Sequence, residues 1–256
     1  MRISIIQHDI KWNALEENLH HIKSLMDCQP AADLYVLAET FATGFMAEGT
    51  KEHAEEHSHR ILEWMLREAR LRDAAVAGSV VVVENEKYSQ AKPHLRNRLY
   101  FVHPDGSYDY YDKRHLFGYA GEKDGFAAGE KRIITTWRGV RFLLQVCYDL
   151  RFPVFSRNRG DYDAIIYVAN WPASRRDAWN TLLKARAIEN QCFVVGVNRV
   201  GSDKSCNYTG DSIIIDAHGH PVVSCMSGKD DVAAAELDMN DLQNFRKAFP
   251  VLEDRD

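Results

Sequence analysis

Short apolar runs rich in β-branched residues alternate along this chain with longer segments in which apolar residues recur at steps of three and four. That alternation points to a layered α/β architecture, with helices packed on sheets. Strands are expected at Ile3–Gln7, Asp33–Ala38, Ala75–Val83, Leu99–His103, Val140–Val146, Asp163–Val168, Cys192–Val197 and Asp211–Asp216, with weaker ones near Val222–Cys225 and Val232–Leu237. Leu15–Cys28 and Ser58–Leu71 each carry one apolar face, with Leu62, Met65 and Leu66 in the second, as helices lying on a sheet do. Ser174–Asn190 also reads as a helix. The turn signals Pro104-Asp105-Gly106 and His218-Gly219-His220-Pro221 separate neighbouring strands, so part of the sheet structure is expected to be antiparallel.

No Pro/Ser-rich linker, low-complexity stretch or composition shift divides the 256 residues, so we read one domain over 1–256 with room for a sizeable core. Asp33–Glu39 is echoed by Asp163–Asn170: each is a buried strand ending in a polar residue, as two pseudo-symmetric sheets, or chance, would produce. A net charge of −5 and a pI near 6.1 lack the basic footprint of a nucleic-acid-binding protein. No apolar run approaches the ~20 residues that span a bilayer, and the opening MRISIIQHDIKW turns polar too early for a secretory signal. Five cysteines (Cys28, Cys147, Cys192, Cys206 and Cys225), an odd number without regular spacing, argue for a reducing compartment, so a cytoplasmic location is expected.

Three stretches deliver a reactive side chain at the end of a strand or beside one, where α/β proteins tend to place ligands. Leu34-Tyr35-Val36-Leu37-Ala38 runs into Glu39. A carboxylate at such an edge is partly desolvated, which suits it to exchange protons near neutrality; a cap or a solvated rim residue is the alternative. Lys113 lies among aromatic and basic residues in Tyr108–Phe117, placed either to meet a developing negative charge or to snorkel along the surface. Val140–Val146 is a buried-strand pattern that turns sharply at Cys147-Tyr148-Asp149-Leu150-Arg151-Phe152-Pro153 and is expected to open a helix. A thiol at such an elbow would have its pKa lowered by the helix N-terminus, with the next backbone N–H aimed at the same space.

In this order, Glu, Lys, Cys, the chain resembles the nitrilase superfamily of carbon–nitrogen hydrolases, from Ile5-Ile6-Gln7 to Tyr208-Thr209-Gly210-Asp211-Ser212 and beyond. Asp112–Phe117, Cys147–Pro153, Asn170-Trp171-Pro172 and Ala185–Gln191 are most similar to the bacterial omega-amidases of that superfamily. The resemblance implies a four-layer α-β-β-α sandwich of the nitrilase type with two mixed sheets, subunits paired through a helical layer into a homodimer, and no cofactor. It implies a catalytic triad of Glu39, Lys113 and Cys147, with Lys113 and the backbone N–H of Tyr148 facing an oxyanion, and a thioester on Cys147. It also implies an assisting glutamate beyond the lysine, Glu122, with Glu130 as a rival in the same Gly-rich loop.

The substrate implied is the terminal amide of a short dicarboxylate monoamide such as 2-oxoglutaramate or 2-oxosuccinamate. Arg151 would meet the far carboxylate unless it pairs with a nearby Asp, and Trp171 would wall the acyl pocket unless it is core. Other readings are a related amidase acting on aliphatic amides, carbamoyl amines or deaminated peptides, and a non-catalytic interaction module. His53-Ala54-Glu55-Glu56-His57 matches H-x-x-E-H, but its flanks read as solvated surface and a third ligand is missing from the pattern, so no metal is expected. Neither a P-loop nor G-x-G-x-x-G is present to suggest a nucleotide.

Overall fold

Residues of the apolar runs are buried on both faces of their strands, which requires cover on either side of each sheet. The computed structural model describes residues 1–45, 50–84 and 94–255. The first part supplies β1 (Arg2–Gln7), α1 (Leu15–Asp27), β2 (Leu34–Val36), α2 (Thr50–Arg72), β3 (Ala75–Glu84), β4 (His94–Val102) and β5 (Tyr108–Asp112). There follow α3 (Glu122–Gly125), β6 (Ile134–Trp137), β7 (Val140–Val146), α4 (Pro153–Ser156), β8 (Ala164–Ala169), α5 (Arg176–Asn190) and β9 (Phe193–Asn198). Last come the small hairpin β10 (Val200–Ser202) and β11 (Asn207–Thr209), then β12 (Ile213–Ile215), β13 (Pro221–Ser224), β14 (Asp231–Glu236) and α6 (Met239–Ala248).

One six-stranded sheet runs β14-β1-β2-β3-β4-β5, the other β13-β12-β9-β8-β7-β6. Each has a parallel trio, β1-β2-β3 or β7-β8-β9, flanked by antiparallel strands. Ile3, Ile5, Val36 and Phe101 from one sheet share a core with Phe142, Leu144, Ile166 and Val195 from the other. Tyr35, Leu37 and Val76 pack on the opposite face under Ile22 and Met26 of α1 and Ile61 and Met65 of α2. Leu143, Ile165 and Val194 do the same under Trp179 and Leu183 of α5. These three apolar seams separate four layers, helix, sheet, sheet and helix, and both hairpins signalled by the turns are present as β4-β5 and β12-β13.

The differences from the sequence expectations have physical causes. Helix α2 starts at Thr50 rather than Ser58, because Ala54 is the buried residue of those first turns and no apolar period marks them. Strand β4 is longer than Leu99–His103, since Arg96 and Arg98 sit in it paired with Glu84 and Asp112. The edge strands β5 and β6 and the helix α6, in which Leu242 is the buried residue, lack an apolar signature and were not expected. After Cys147 the chain makes a short 3₁₀ turn, Cys147–Arg151, followed by the one-turn α4, not a regular helix.

Candidate active site

Glu39 follows β2, Lys113 follows β5, Cys147 follows β7 and Asn170 follows β8, so strand ends of both sheets converge on one place. A cavity of about 320 Å³ opens there, lined among others by Glu39, Phe45, Lys113, Cys147, Tyr148, Arg151, Asn170 and Trp171. Lys113 is anchored through its backbone, its N–H donating to Asn97 O (2.9 Å) and its carbonyl accepting from Gly129 N–H (2.9 Å). Residue 129 must be glycine for this approach: a Cβ there would stand 2.1 Å from the carbonyl oxygen of Asp112.

Glu39 is buried and its carboxylate is fully partnered. Oε1 accepts from Asn97 Nδ2 (2.7 Å) and Lys113 Nζ (3.1 Å), and Oε2 from the backbone N–H and Nδ2 of Asn170 (2.7 and 3.2 Å). Glu122, also buried, accepts from Lys113 Nζ at 3.0 Å through one oxygen and from the Phe117 N–H through the other. Glu130 is exposed, so Glu122 is the carboxylate of that loop that reaches the lysine. Burial by itself would depress the Lys113 ammonium, but Glu39 and Glu122 outweigh it and hold its pKa above the ordinary value. Burial raises the Glu122 carboxyl, Lys113 opposes the shift and Glu39 reinforces it. Lys113 therefore stays charged.

Cys147 has φ +45°, a left-handed conformation that is strained for a residue bearing a Cβ. Buried Asp149 fixes this elbow: Oδ2 accepts from Val146 N–H (2.9 Å) and the Tyr111 hydroxyl (2.8 Å), and Oδ1 meets the N–H (2.9 Å) and Nδ1 (2.7 Å) of His115. As a first-turn residue of the 3₁₀ segment, Tyr148 has no partner for its N–H within the turn. The expected lowering of the thiol pKa is overturned. Burial pushes Cys147 well above the usual thiol range, the carboxylates of Glu39 and Glu122 add to this, and Lys113 only partly opposes them. A 3₁₀ turn of five residues provides little dipole to set against two buried carboxylates. The thiol is accordingly protonated at rest, within hydrogen-bonding reach of Glu39.

Arg151 makes no ion pair with an Asp among the described residues; its guanidinium lies 5.0 Å over the Trp171 ring at the cavity wall. Trp171 lines the cavity and also belongs to the core beneath α5. Sequence reasoning missed Asn97, Asp149, Arg175 and Cys206; Asn170 was visible only as the polar end of the strand echo. His53, Glu56 and His57 bring potential ligand atoms within 4.8 Å of one another on α2, outside the cavity; Glu56 is the Glu of the H-x-x-E-H pattern itself and is exposed. Among the described residues no helix is long and apolar enough to cross a membrane.

Comparison with known proteins gives consistent matches. The carbon–nitrogen hydrolase family profile covers residues 2–247. The omega-amidase YafV of Yersinia enterocolitica is 41% identical over 100% of this chain and 97% of its own. A 2-oxoglutaramate amidase of Bacillus subtilis is 32% identical over 98% and 96%. A Xanthomonas campestris CN-hydrolase superfamily protein, crystallised with an arsenic adduct in its active site, superposes with a TM-score of 0.93 at 40% identity, covering 100% of this chain and 97% of that one.

Proposed function

The chain belongs to the carbon–nitrogen hydrolase family, and on that premise we propose that it is an omega-amidase, hydrolysing the terminal amide of short dicarboxylate monoamides to the acid and ammonia. The observation that carries this reading is the convergence of Glu39, Lys113, Glu122 and Cys147 beside a small cavity that also presents a guanidinium, in a chain 41% identical over its length to an omega-amidase.

The proposed chemistry starts from the protonated thiol. Glu39 takes the Cys147 proton as sulfur attacks the amide carbon, so no free thiolate accumulates. Lys113 Nζ and the Tyr148 N–H meet the oxyanion, and the fixed charge of Lys113 needs no reorganisation as charge develops. Glu39 returns its proton to the departing nitrogen, ammonia leaves, and a thioester remains on Cys147. Water, deprotonated by Glu39, attacks the thioester through a second oxyanion, releasing the acid and restoring the thiol. Glu122 holds Lys113 from the far side, Arg151 takes the substrate's distal carboxylate, and Trp171 walls the acyl chain.

We place the enzyme in the cytoplasm as a homodimer, a reading supported by its unpaired cysteines and by the exposed apolar side chains of Val154 on α4 and Ile188 on α5. The test is ammonia release from 2-oxoglutaramate against a neutral amide of equal length, with Cys147→Ala protein as the blank. Preference for the carboxylate-bearing amide is expected, and equal or absent release from both would reject an omega-amidase.

A further inference from the structure

The cavity contains a second guanidinium, Arg175, to which neither the family resemblance nor the sequence motifs assign a role. It sits in the 3₁₀ turn Ala173–Arg175 that leads into α5, with its Cζ 5.3 Å over the Phe117 ring. Arg151 lies 5.0 Å over Trp171 in the same cavity, so both guanidinium groups rest on aromatic rings. Trp171 joins the two arms: its ring carries Arg151, and its Nε1 donates to the backbone carbonyl of Arg175 at 2.7 Å.

Neither cation is spent on the protein. Arg176, the next residue, is paired with Asp211 at 2.6 Å, whereas among the described residues no carboxylate pairs with Arg175 or Arg151. Of the two carboxylates on the cavity wall, Glu39 is held by Lys113, Asn97 and Asn170, and Asp203 by the Tyr208 hydroxyl (2.7 Å) and by Ser205 and the Cys206 N–H (each 2.8 Å). Two unpaired, ring-supported guanidiniums facing one small cavity call for an anionic ligand with more acceptors than a single bidentate carboxylate supplies.

We propose that Arg175 is a specificity-determining residue for 2-oxo acid monoamides, recognising with Arg151 a carboxylate that carries an adjacent oxygen acceptor. Arg151 saturates the carboxylate, and Arg175 donates to the 2-oxo oxygen beside it. This rests on the amidase reading above and adds to it the residue that selects the 2-oxo group.

The test compares 2-oxoglutaramate with glutaramate, which has the same length and carboxylate but no 2-oxo group, in the wild type, Arg175→Met and Arg175→Lys. The wild-type ratio of kcat/KM should favour 2-oxoglutaramate, and Arg175→Met should lower that ratio about tenfold or more, mainly through KM. Arg175→Lys should restore part of it. An unchanged ratio, or an equal loss on both amides, overturns the proposal. Calorimetric binding of both amides to Cys147→Ala protein, with and without Arg175→Met, needs no turnover. Loss of binding selectivity there supports the Arg175 role even if the wild type releases no ammonia, an outcome that would reject only the amidase reading. Binding selectivity indifferent to Arg175 rejects its role.

Discussion

Replacing Glu122 by Gln tests whether the second glutamate acts on the reaction or merely fills space. The wild-type carboxylate accepts from two donors, Lys113 Nζ at 3.0 Å and the Phe117 N–H. A glutamine of the same shape has one acceptor oxygen and one NH2 group, so it must turn a donor toward one of them. In a site with no exposed surface at Glu122, one charge-assisted hydrogen bond is lost and a buried donor is left facing another donor. The expected cost is about 1.5–3 kcal/mol. Expressed in the transition state, this is roughly a ten- to hundredfold fall in kcat. With the NH2 group turned toward Lys113, the ammonium is held by Glu39 alone, which ties up the carboxylate proposed to accept the thiol proton, so the loss should fall on kcat more than KM. Steady-state ammonia release at saturating 2-oxoglutaramate, together with urea unfolding, separates the two roles. A variant destabilised as expected but turning over within twofold of wild type would show that Glu122 supports the fold and not the chemistry.

Further predictions rest on other contacts. Glu39→Gln should lower ammonia release at least about a hundredfold, because burial keeps the thiol protonated and Glu39 is the acceptor proposed for its proton; turnover within twofold of wild type would remove Glu39 from that role. Asp149→Ala leaves four donor contacts around the elbow unmet and should cost at least about 3 kcal/mol in urea unfolding, and a loss below about 1 kcal/mol would refute its role in holding Cys147. His8 is pushed down to about 4 by burial, with the Phe41 carbonyl only partly opposing this. Its folded pKa lies below its unfolded one, so the unfolded chain binds the proton first and stability drops as pH falls from about 6.5 to about 4, by about 3 kcal/mol. His8→Gln, which keeps a donor for Phe41 O, should remove that part of the pH dependence of urea unfolding; an identical profile would place the acid lability elsewhere.

Legibility in the sequence followed burial. Val140–Val146 is apolar almost throughout and its strand has those bounds in the structure, whereas β5 reads Tyr-Asp-Tyr-Tyr-Asp at a sheet edge and carries no period to detect. Glu39, Lys113 and Cys147 stood out because each is a reactive residue in a recognisable local setting. Asn97 did not, because its contact with Glu39 spans 58 positions in the chain and its strand context, Leu95-Arg96-Asn97-Arg98-Leu99, says nothing of a carboxylate across the sheet. Arg175 shares that obscurity: its neighbours in sequence are polar helix-start residues, and only the folded turn brings it over Phe117. The direction of the Cys147 shift was misjudged because a strand-to-helix elbow suggests a helix dipole, while burial beside two carboxylates becomes visible only when both sheets are in place.

The echo between Asp33–Glu39 and Asp163–Asn170 acquires a chemical meaning in three dimensions. β2 and β8 are the middle strands of the two parallel trios, and each ends at the seam between the sheets. There the polar residues that follow them meet: Asn170 donates through Nδ2 to the Glu39 backbone carbonyl at 2.9 Å, and through its backbone N–H and Nδ2 to the Glu39 carboxylate at 2.7 and 3.2 Å. A carboxylate delivered by one sheet is thus fixed by an amide delivered from the equivalent place in the other. Sheet-on-sheet packing sets the position of the proposed base directly, without a mobile loop between them. That arrangement explains how a carboxylate can remain buried beside a thiol: its charge is answered by Lys113, Asn97 and Asn170 before any substrate arrives, and what it gives up in accepting the Cys147 proton is shared among contacts already made.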